Sequence, residues 1–178
     1  SSSSVSTPSR YGVLTGRYNW RSDLKSGVLM GYNKALIAPD RRTIASVLRD
    51  QGYQTACIGK WHLGWDWNNI EAGPDSVDFS KPISNGPTTR GFDYFYGIIA
   101  SLDMAPYVYV ENDMPTALPD RVTVNDGMKY WRKGPTASDF DHEQTLPNFI
   151  NRAVDYIHDK SKEDKPFYLY LPLPAPHT

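Results

Sequence analysis

The segment Ser6-Thr7-Pro8-Ser9-Arg10 places an oxygen nucleophile, a proline and a fixed cation in one short stretch, with Thr15-Gly16 just beyond it. A serine hydroxyl is a poor nucleophile at neutral pH unless something activates it. A Ser-His-Asp grouping is defined by geometry and not by order along the chain. Pro8 suits the first turn of a helix, because it lacks the N–H that is orphaned there. A helix beginning near Pro8 would aim its positive end at Ser6 and at any anion bound beside it. Arg10 adds a permanent charge and a planar fork of donors. Lys60 and His62 lie two apart, just past an expected strand at 54–58. Period-two spacing puts them on one side if the chain stays extended. The apolar run Phe167-Tyr168-Leu169-Tyr170-Leu171 reads as a buried strand and leads through prolines to His177. Histidine suits proton transfer because its ordinary pKa lies near neutrality.

Two blocks carry a resemblance. The pattern S-x-P-S-R-x-x-x-x-T-G from Ser6 to Gly16 resembles the sulfatase signature, and Gly52 to Gly64 (GYQTACIGKWHLG) resembles that family's G-Y-x-T-x-x-x-G-K-W-H-L-G element. The segment Gly91-Phe92-Asp93-Tyr94-Phe95-Tyr96-Gly97 and the terminal Ala175-Pro176-His177 resemble further family segments more weakly. The resemblance implies that Ser6 is converted to formylglycine by a maturation enzyme and hydrates to a geminal diol. One diol oxygen attacks sulfur and expels the alcohol; the other, once deprotonated, collapses to aldehyde and expels sulfate. It further implies that Arg10 holds the diol oxygens and Lys60 bridges sulfate and diol. His62 would take the diol proton, and His177 would contact the sulfate and protonate the leaving oxygen.

The same resemblance implies calcium as cofactor, with the modified Ser6 among its ligands. The family's Asp-Asp pair precedes the nucleophile, and its Asp-Asn pair follows the histidine that His177 matches. No Asp-Asp pair occurs here, and Asn125-Asp126 has the reverse order and precedes His177. Calcium takes several oxygen ligands. The expectation is therefore a partial catalytic domain over 1–178, inactive by itself, with the other metal ligands outside it. The fold expected is α/β: a mostly parallel sheet flanked by helices, alkaline-phosphatase-like and incomplete. The expected activity is hydrolysis of a sulfuric ester of a carbohydrate or aryl alcohol. The alternatives are a phosphate or phosphonate monoester hydrolase of the same superfamily, and a non-catalytic module that binds sulfated glycans. By resemblance the protein is secreted or periplasmic.

Composition sets outer bounds. The chain has 178 residues, 19 basic and 20 acidic side chains, and a net charge of −1. That length builds one real core, and the balanced charge supplies no general attraction to nucleic acid or acidic membranes. A single cysteine, Cys57, excludes an internal disulfide framework and reads as a small buried hydrophobe. No apolar run reaches transmembrane length.

The elements that must hold these residues are read from pattern. Helices are expected at 9–15, at 41–51 with Asp40 as cap and Ile44, Val47 and Leu48 as the apolar stripe, and at 145–160. Residues 65–90 read as a long loop, and 107–110 with 121–124 as a peripheral hairpin. Alternation of helices with apolar strands argues for a parallel core. Asp139, Asp141, His142 and Glu143 resemble a metal site in composition but read as a lead into the last helix, where His158 occupies the final turn. Aromatic residues abound, with five Trp and twelve Tyr. Trp61, Asp103 and Asn112 are the candidate substrate-binding residues: Trp61 for stacking on a ring, the other two for hydroxyls from likely loops.

Overall fold

A computed structural model describes residues 3–177. Its centre is a five-stranded sheet built on β1 (Gln54–Lys60). Strand β2 (Tyr94–Ile98) pairs parallel with one edge of β1, and β7 (Phe167–Tyr170) pairs parallel with the other. Two short antiparallel strands, β3 (Val110–Glu111) and β4 (Met114–Pro115), extend the sheet beyond β2. The order is β4-β3-β2-β1-β7, so the three parallel strands at its heart end on the same side.

The expected α/β architecture is present. Helix α3 (Thr145–Lys160) covers one face of the sheet. Its Phe149 packs edge-on against Tyr96 and Tyr109, and its Tyr156 stacks on Tyr94 and meets Phe167. Arg152 lies over the Tyr96 ring at 4.1 Å and pairs with Glu111 at 3.0 Å. Phe95 alternates with Tyr94 and Tyr96, so it points to the opposite face, where it meets the fully buried Trp65. Cys57 is paired in register with Phe95 and is likewise buried.

Local physics moves several boundaries. Helix α1 spans Ser6–Thr15, starting three residues earlier than expected, so Ser6 opens the helix and Pro8 sits inside its first turn. Proline is tolerated there because the first N–H groups have no intrahelical acceptor. Gly16 ends α1 in the left-handed region at φ 68°. Helix α2 spans Ile44–Asp50; its cap is Thr43 and not Asp40. The Thr43 hydroxyl accepts from the Ser46 N–H, and the Ser46 hydroxyl is bonded to the Thr43 backbone, a reciprocal capping box. That phase turns Ala45 inward and leaves Ile44 and Val47 exposed, contrary to the expected stripe.

The hairpin expected from 107–110 and 121–124 does not form. Val110 pairs instead with Gly97 in the main sheet, and β5 (Pro119–Asn125) pairs with β6 (Trp131–Ala137) as a separate antiparallel ribbon. Tyr107 joins that ribbon through a bridge to Thr136. Residues 65–90 are irregular, with three short 3-10 turns, yet Trp65, Trp67 and Ile83 within them are buried.

Two glycines set the spacing of β1, β2 and β7. A Cβ on Gly97 would lie 1.8 Å from the Gly59 carbonyl oxygen, and one on Gly59, at φ 132°, would lie 2.3 Å from that of Pro172. Gly97→Ala is therefore expected to lower stability by about 3 kcal/mol by overpacking against backbone. Urea unfolding with a shifted midpoint and unchanged slope checks this; an unshifted midpoint contradicts the close approach.

Candidate active site

The site is assembled where β1 ends and α1 begins. Ser6 and Arg10 are one helical turn apart and so share a face of α1. Arg10 donates from Nε to Ser6 Oγ at 2.7 Å and from Nη1 to the Lys60 carbonyl at 2.7 Å. The guanidinium thus ties the helix start to the last residue of β1. Thr7 holds the other side: its hydroxyl accepts from the Leu29 N–H at 3.1 Å. Val5 caps α1 without a side-chain bond, so first-turn N–H groups stay available beside Ser6.

Beyond β1 the chain leaves the extended form. Trp61 and His62 donate their N–H groups to the carbonyls of Ile98 and Ile99, and His62 adopts φ 56°. A positive φ is costly for a residue with a Cβ. Here it turns the imidazole so that Nδ1 lies 2.9 Å from Ser6 Oγ, while Nε2 lies 2.7 Å from the Leu29 carbonyl. A carbonyl only accepts, so Nε2 carries the hydrogen and Nδ1 accepts from the Ser6 hydroxyl.

The charges are one-sided. Lys60 is 2 % exposed, and among the described residues no carboxylate pairs with it. Desolvation, aided by Arg10 and opposed by Asp103, lowers its pKa to about 8. It is still protonated at neutral pH. His62 is pushed down to about 3, mainly by burial and then by Lys60, so its ring is neutral. Tyr170, next to Arg10, is pushed up to about 12 by burial. Arg10, Lys60 and the open helix start together form a site for an anion.

His177 lies on the segment after β7, with Nε2 3.4 Å from the Ser101 hydroxyl. Ser101 is buried two residues past Ile99, and it was not singled out from the sequence. A lone serine in an S-L-D run carries no signal until the sheet places it opposite His177. Asp103 follows; its Oδ2 accepts from Arg132 of β6.

The other candidates are placed elsewhere. Trp61 is 1 % exposed, packs edge-on against Phe92 and donates Nε1–H to the Gly64 carbonyl at 2.9 Å. Asn112 turns the β3–β4 hairpin, and its Oδ1 accepts from the Phe95 N–H at 3.2 Å, toward the start of β2 and away from the Ser6 end of the sheet. Asp141 accepts from the Glu143 N–H at 2.8 Å and leads into α3, while His142 stacks on Trp131 with ring centroids 3.8 Å apart.

Calcium finds no ligand set in this arrangement. Among the described residues no three carboxylate, imidazole or thiol groups converge, and the charges nearest Ser6 are positive. The residues present do not make a calcium site, and no step below runs through a metal. No helix among them is long and apolar enough to cross a membrane.

An α/β sheet with a serine at a helix start, an arginine one turn on, and a Lys-x-His at the end of the central strand makes a cationic site suited to an anion. The family model described as Sulfatase matches residues 1–178, and the chain belongs to the sulfatase family. It is 32 % identical to an N-acetylgalactosamine-6-O-sulfatase of Bacteroides thetaiotaomicron over 95 % of this chain and 38 % of that protein. It is 30 % identical to human arylsulfatase A over 94 % of this chain and 31 % of that one. A solved Bacteroides thetaiotaomicron structure, from work on the metabolism of multiple glycosaminoglycans, superposes with a TM-score of 0.79 at 28 % identity, over 98 % of this chain and 42 % of that one. The chain thus spans well under half of these relatives.

Burial of a neutral His62 has a pH signature. Unfolded, it titrates near 6.5; folded, near 3. Between those values the unfolded chain binds the extra proton, so stability rises with pH there. Acidification from pH 6.5 toward 3 is expected to remove stability, and His62→Gln to flatten that part of the profile. Urea midpoints across this range check it; an unchanged slope in His62→Gln contradicts the assignment.

Proposed function

We propose that the protein hydrolyses sulfuric esters at Ser6, with Arg10, Lys60, His62 and His177 as the residues that carry the reaction. The observation behind this reading is the convergence on Ser6 Oγ of Arg10 Nε at 2.7 Å and His62 Nδ1 at 2.9 Å, beside a buried lysine with no ion-paired carboxylate among the described residues.

As a plain alcohol Ser6 is weakly activated. The imidazole beside it, His62, is held near pKa 3, a poor base at neutral pH. The environment favours a group that bears its own leaving and attacking oxygens. Formylglycine supplies that: hydrated, it offers one oxygen to attack sulfur and a second whose deprotonation releases sulfate. On a modified Ser6 those oxygens would lie where Oγ now sits, between Arg10 Nε and His62 Nδ1. Arg10 would orient the oxygens on residue 6. Lys60 would bind the sulfate and stabilise charge that builds on it. His62 Nδ1 would accept the proton whose loss frees the sulfate, and the negative charge of the sulfate ester held beside it would raise its basicity. His177, with Ser101 beside it, would protonate the departing alcohol oxygen. Calcium and a maturation enzyme belong to the same reading as what family membership implies.

Three measurements test it. In an active preparation the peptide containing Ser6 should be lighter by two hydrogens and should react with an aldehyde probe; activity with Ser6 wholly unmodified contradicts the mechanism. His62→Ala or His177→Ala in the complete protein should each cost about 10²–10⁴-fold in turnover. Loss of His62 should trap a sulfated protein, whereas loss of His177 should chiefly slow esters of poor leaving groups. Sulfate should stabilise the protein at pH 7 and progressively less above about pH 8, as Lys60 loses its proton. Rates on matched sulfate and phosphate monoesters separate a sulfatase from a phosphatase. Tight sulfate binding without turnover in the complete protein would favour a binding module.

A further inference from the structure

Thr7 stands between Ser6 and Pro8 and takes no part in the reaction described above. It is fully buried although it carries a hydroxyl. A threonine within a helix often turns that hydroxyl back on a carbonyl one turn earlier. Thr7 instead accepts at 3.1 Å from the N–H of Leu29, 22 residues away. The Leu29 carbonyl in turn accepts from His62 Nε2 at 2.7 Å, and His62 Nδ1 lies 2.9 Å from Ser6 Oγ. Three hydrogen bonds thus close a ring that starts and ends on consecutive residues of α1. The helix grips the imidazole at both nitrogens, directly through Ser6 and indirectly through Leu29.

Leu29 lies on an irregular stretch whose two sides are held differently. After it, the Met30 N–H donates to Asn33 Oδ1 at 2.5 Å and the Asn33 N–H donates to the Met30 carbonyl at 3.1 Å. The Gly31 carbonyl accepts from Trp67 Nε1 at 2.9 Å. Before it, residues 26–28 make no hydrogen bond among the described residues, and Gly27 sits in the left-handed region at φ 76°. The Thr7 hydroxyl is therefore what holds the chain where it arrives at Leu29.

His62 depends on the far side of this ring of bonds. Its backbone is set by donation to the Ile99 carbonyl at 2.8 Å, but that leaves rotation of the imidazole about Cβ–Cγ open. In a serine triad a buried carboxylate fixes that rotation. Here the partner of Nε2 is the Leu29 carbonyl. A backbone carbonyl orients a side chain only as firmly as its own backbone is held. Bonded at Nδ1 alone, the imidazole is free to turn, and turning carries Nδ1 off residue 6.

We propose that Thr7 is a positioning residue for His62, acting through the Leu29 backbone to keep Nδ1 of the imidazole toward residue 6. The proposal rests on the sulfatase reading for what Nδ1 does in the reaction, but the ring of hydrogen bonds is measured without turnover. It assigns the Thr7 hydroxyl a task distinct from the packing of its methyl group.

The test follows histidine ring protons by NMR at neutral pH in the complete protein, labelled on its histidine ring nitrogens. The His62 signal is assigned by its loss in His62→Gln. In the parent a slowly exchanging hydrogen on Nε2 is expected. Thr7→Val keeps the shape of the side chain and removes the acceptor. It is expected to speed exchange of that hydrogen and to lower turnover of an aryl sulfate about 10- to 100-fold, the scale of a misplacement of up to an ångström. Thr7→Ser keeps the hydroxyl and is expected to restore both. A folded Thr7→Val protein with an unchanged His62 ring signal overturns the proposal, whatever its turnover. So does a Thr7→Ser protein that behaves as Thr7→Val, because the methyl group would then be what matters. If Thr7→Val does not fold, the parent and Thr7→Ser decide. A His62 hydrogen on Nδ1, or a Leu29 amide that exchanges freely, contradicts the ring of bonds; slow exchange at both sites in both proteins supports it. A protein that shows the expected signals and responses but hydrolyses no sulfate ester sinks the sulfatase mechanism and leaves the positioning role standing.

Discussion

Much of this structure follows from one unfavourable fact, the burial of the Lys60 ammonium with no ion-paired carboxylate among the described residues, Asp103 acting on it only from a distance. An ion taken out of water costs several kcal/mol even after relaxation, and Arg10 nearby adds repulsion. The fold tolerates this because the strand that carries Lys60 is held on both edges. Its N–H donates to the Pro172 carbonyl at 2.8 Å, its carbonyl accepts from Arg10 at 2.7 Å, and the next two residues are bonded to Ile98 and Ile99. The side chain is fixed by backbone bonds, and its charge is left for a ligand. Burial first, and the same charges second, keep His62 neutral, and the Leu29 carbonyl fixes its hydrogen on Nε2, which leaves Nδ1 to accept.

The sheet supplies the precision. Parallel strands β2, β1 and β7 end together, so Ser101, His62 and His177 arrive from three distant segments at one edge. This is the usual location of sites in open α/β sheets, outside the carboxyl ends of the strands. Gly59 and Gly97 let the strands and the segment after β7 approach more closely than any side chain would allow. Helix α1 then lays its uncapped start against that edge, and Arg10 locks it there.

The ribbon of β5 and β6 is an addition to this frame. It has its own pairing and reaches the main body through Tyr107, Arg132 and the Trp131–His142 stack. The side chains bonded to Ser6 come from α1 and from the turn after β1, not from the ribbon.

The sequence by itself determined the central frame and the candidate site residues. Ser6 to Gly16 and Gly52 to Gly64 are contiguous blocks, and short-range spacing is what a sequence displays. The long periodic helix α3 and the apolar strands β1 and β7 were legible for the same reason. What tertiary structure decided were matters of long-range contact. The β5–β6 ribbon replaced the expected hairpin because Val110 gains a place in the sheet that a peripheral strand would not have. Trp61 and Asn112, attractive by type, became packing and turn residues once Phe92 and Phe95 were beside them. Ser101, mute in sequence, acquired meaning only opposite His177. His62 faces Ser6 through a positive φ that no alternation rule forecasts. Residue type and local period record which groups are present, but burial, strand order and strain fix which of them meet, and those depend on partners as distant in the chain as Gln54 and Phe167.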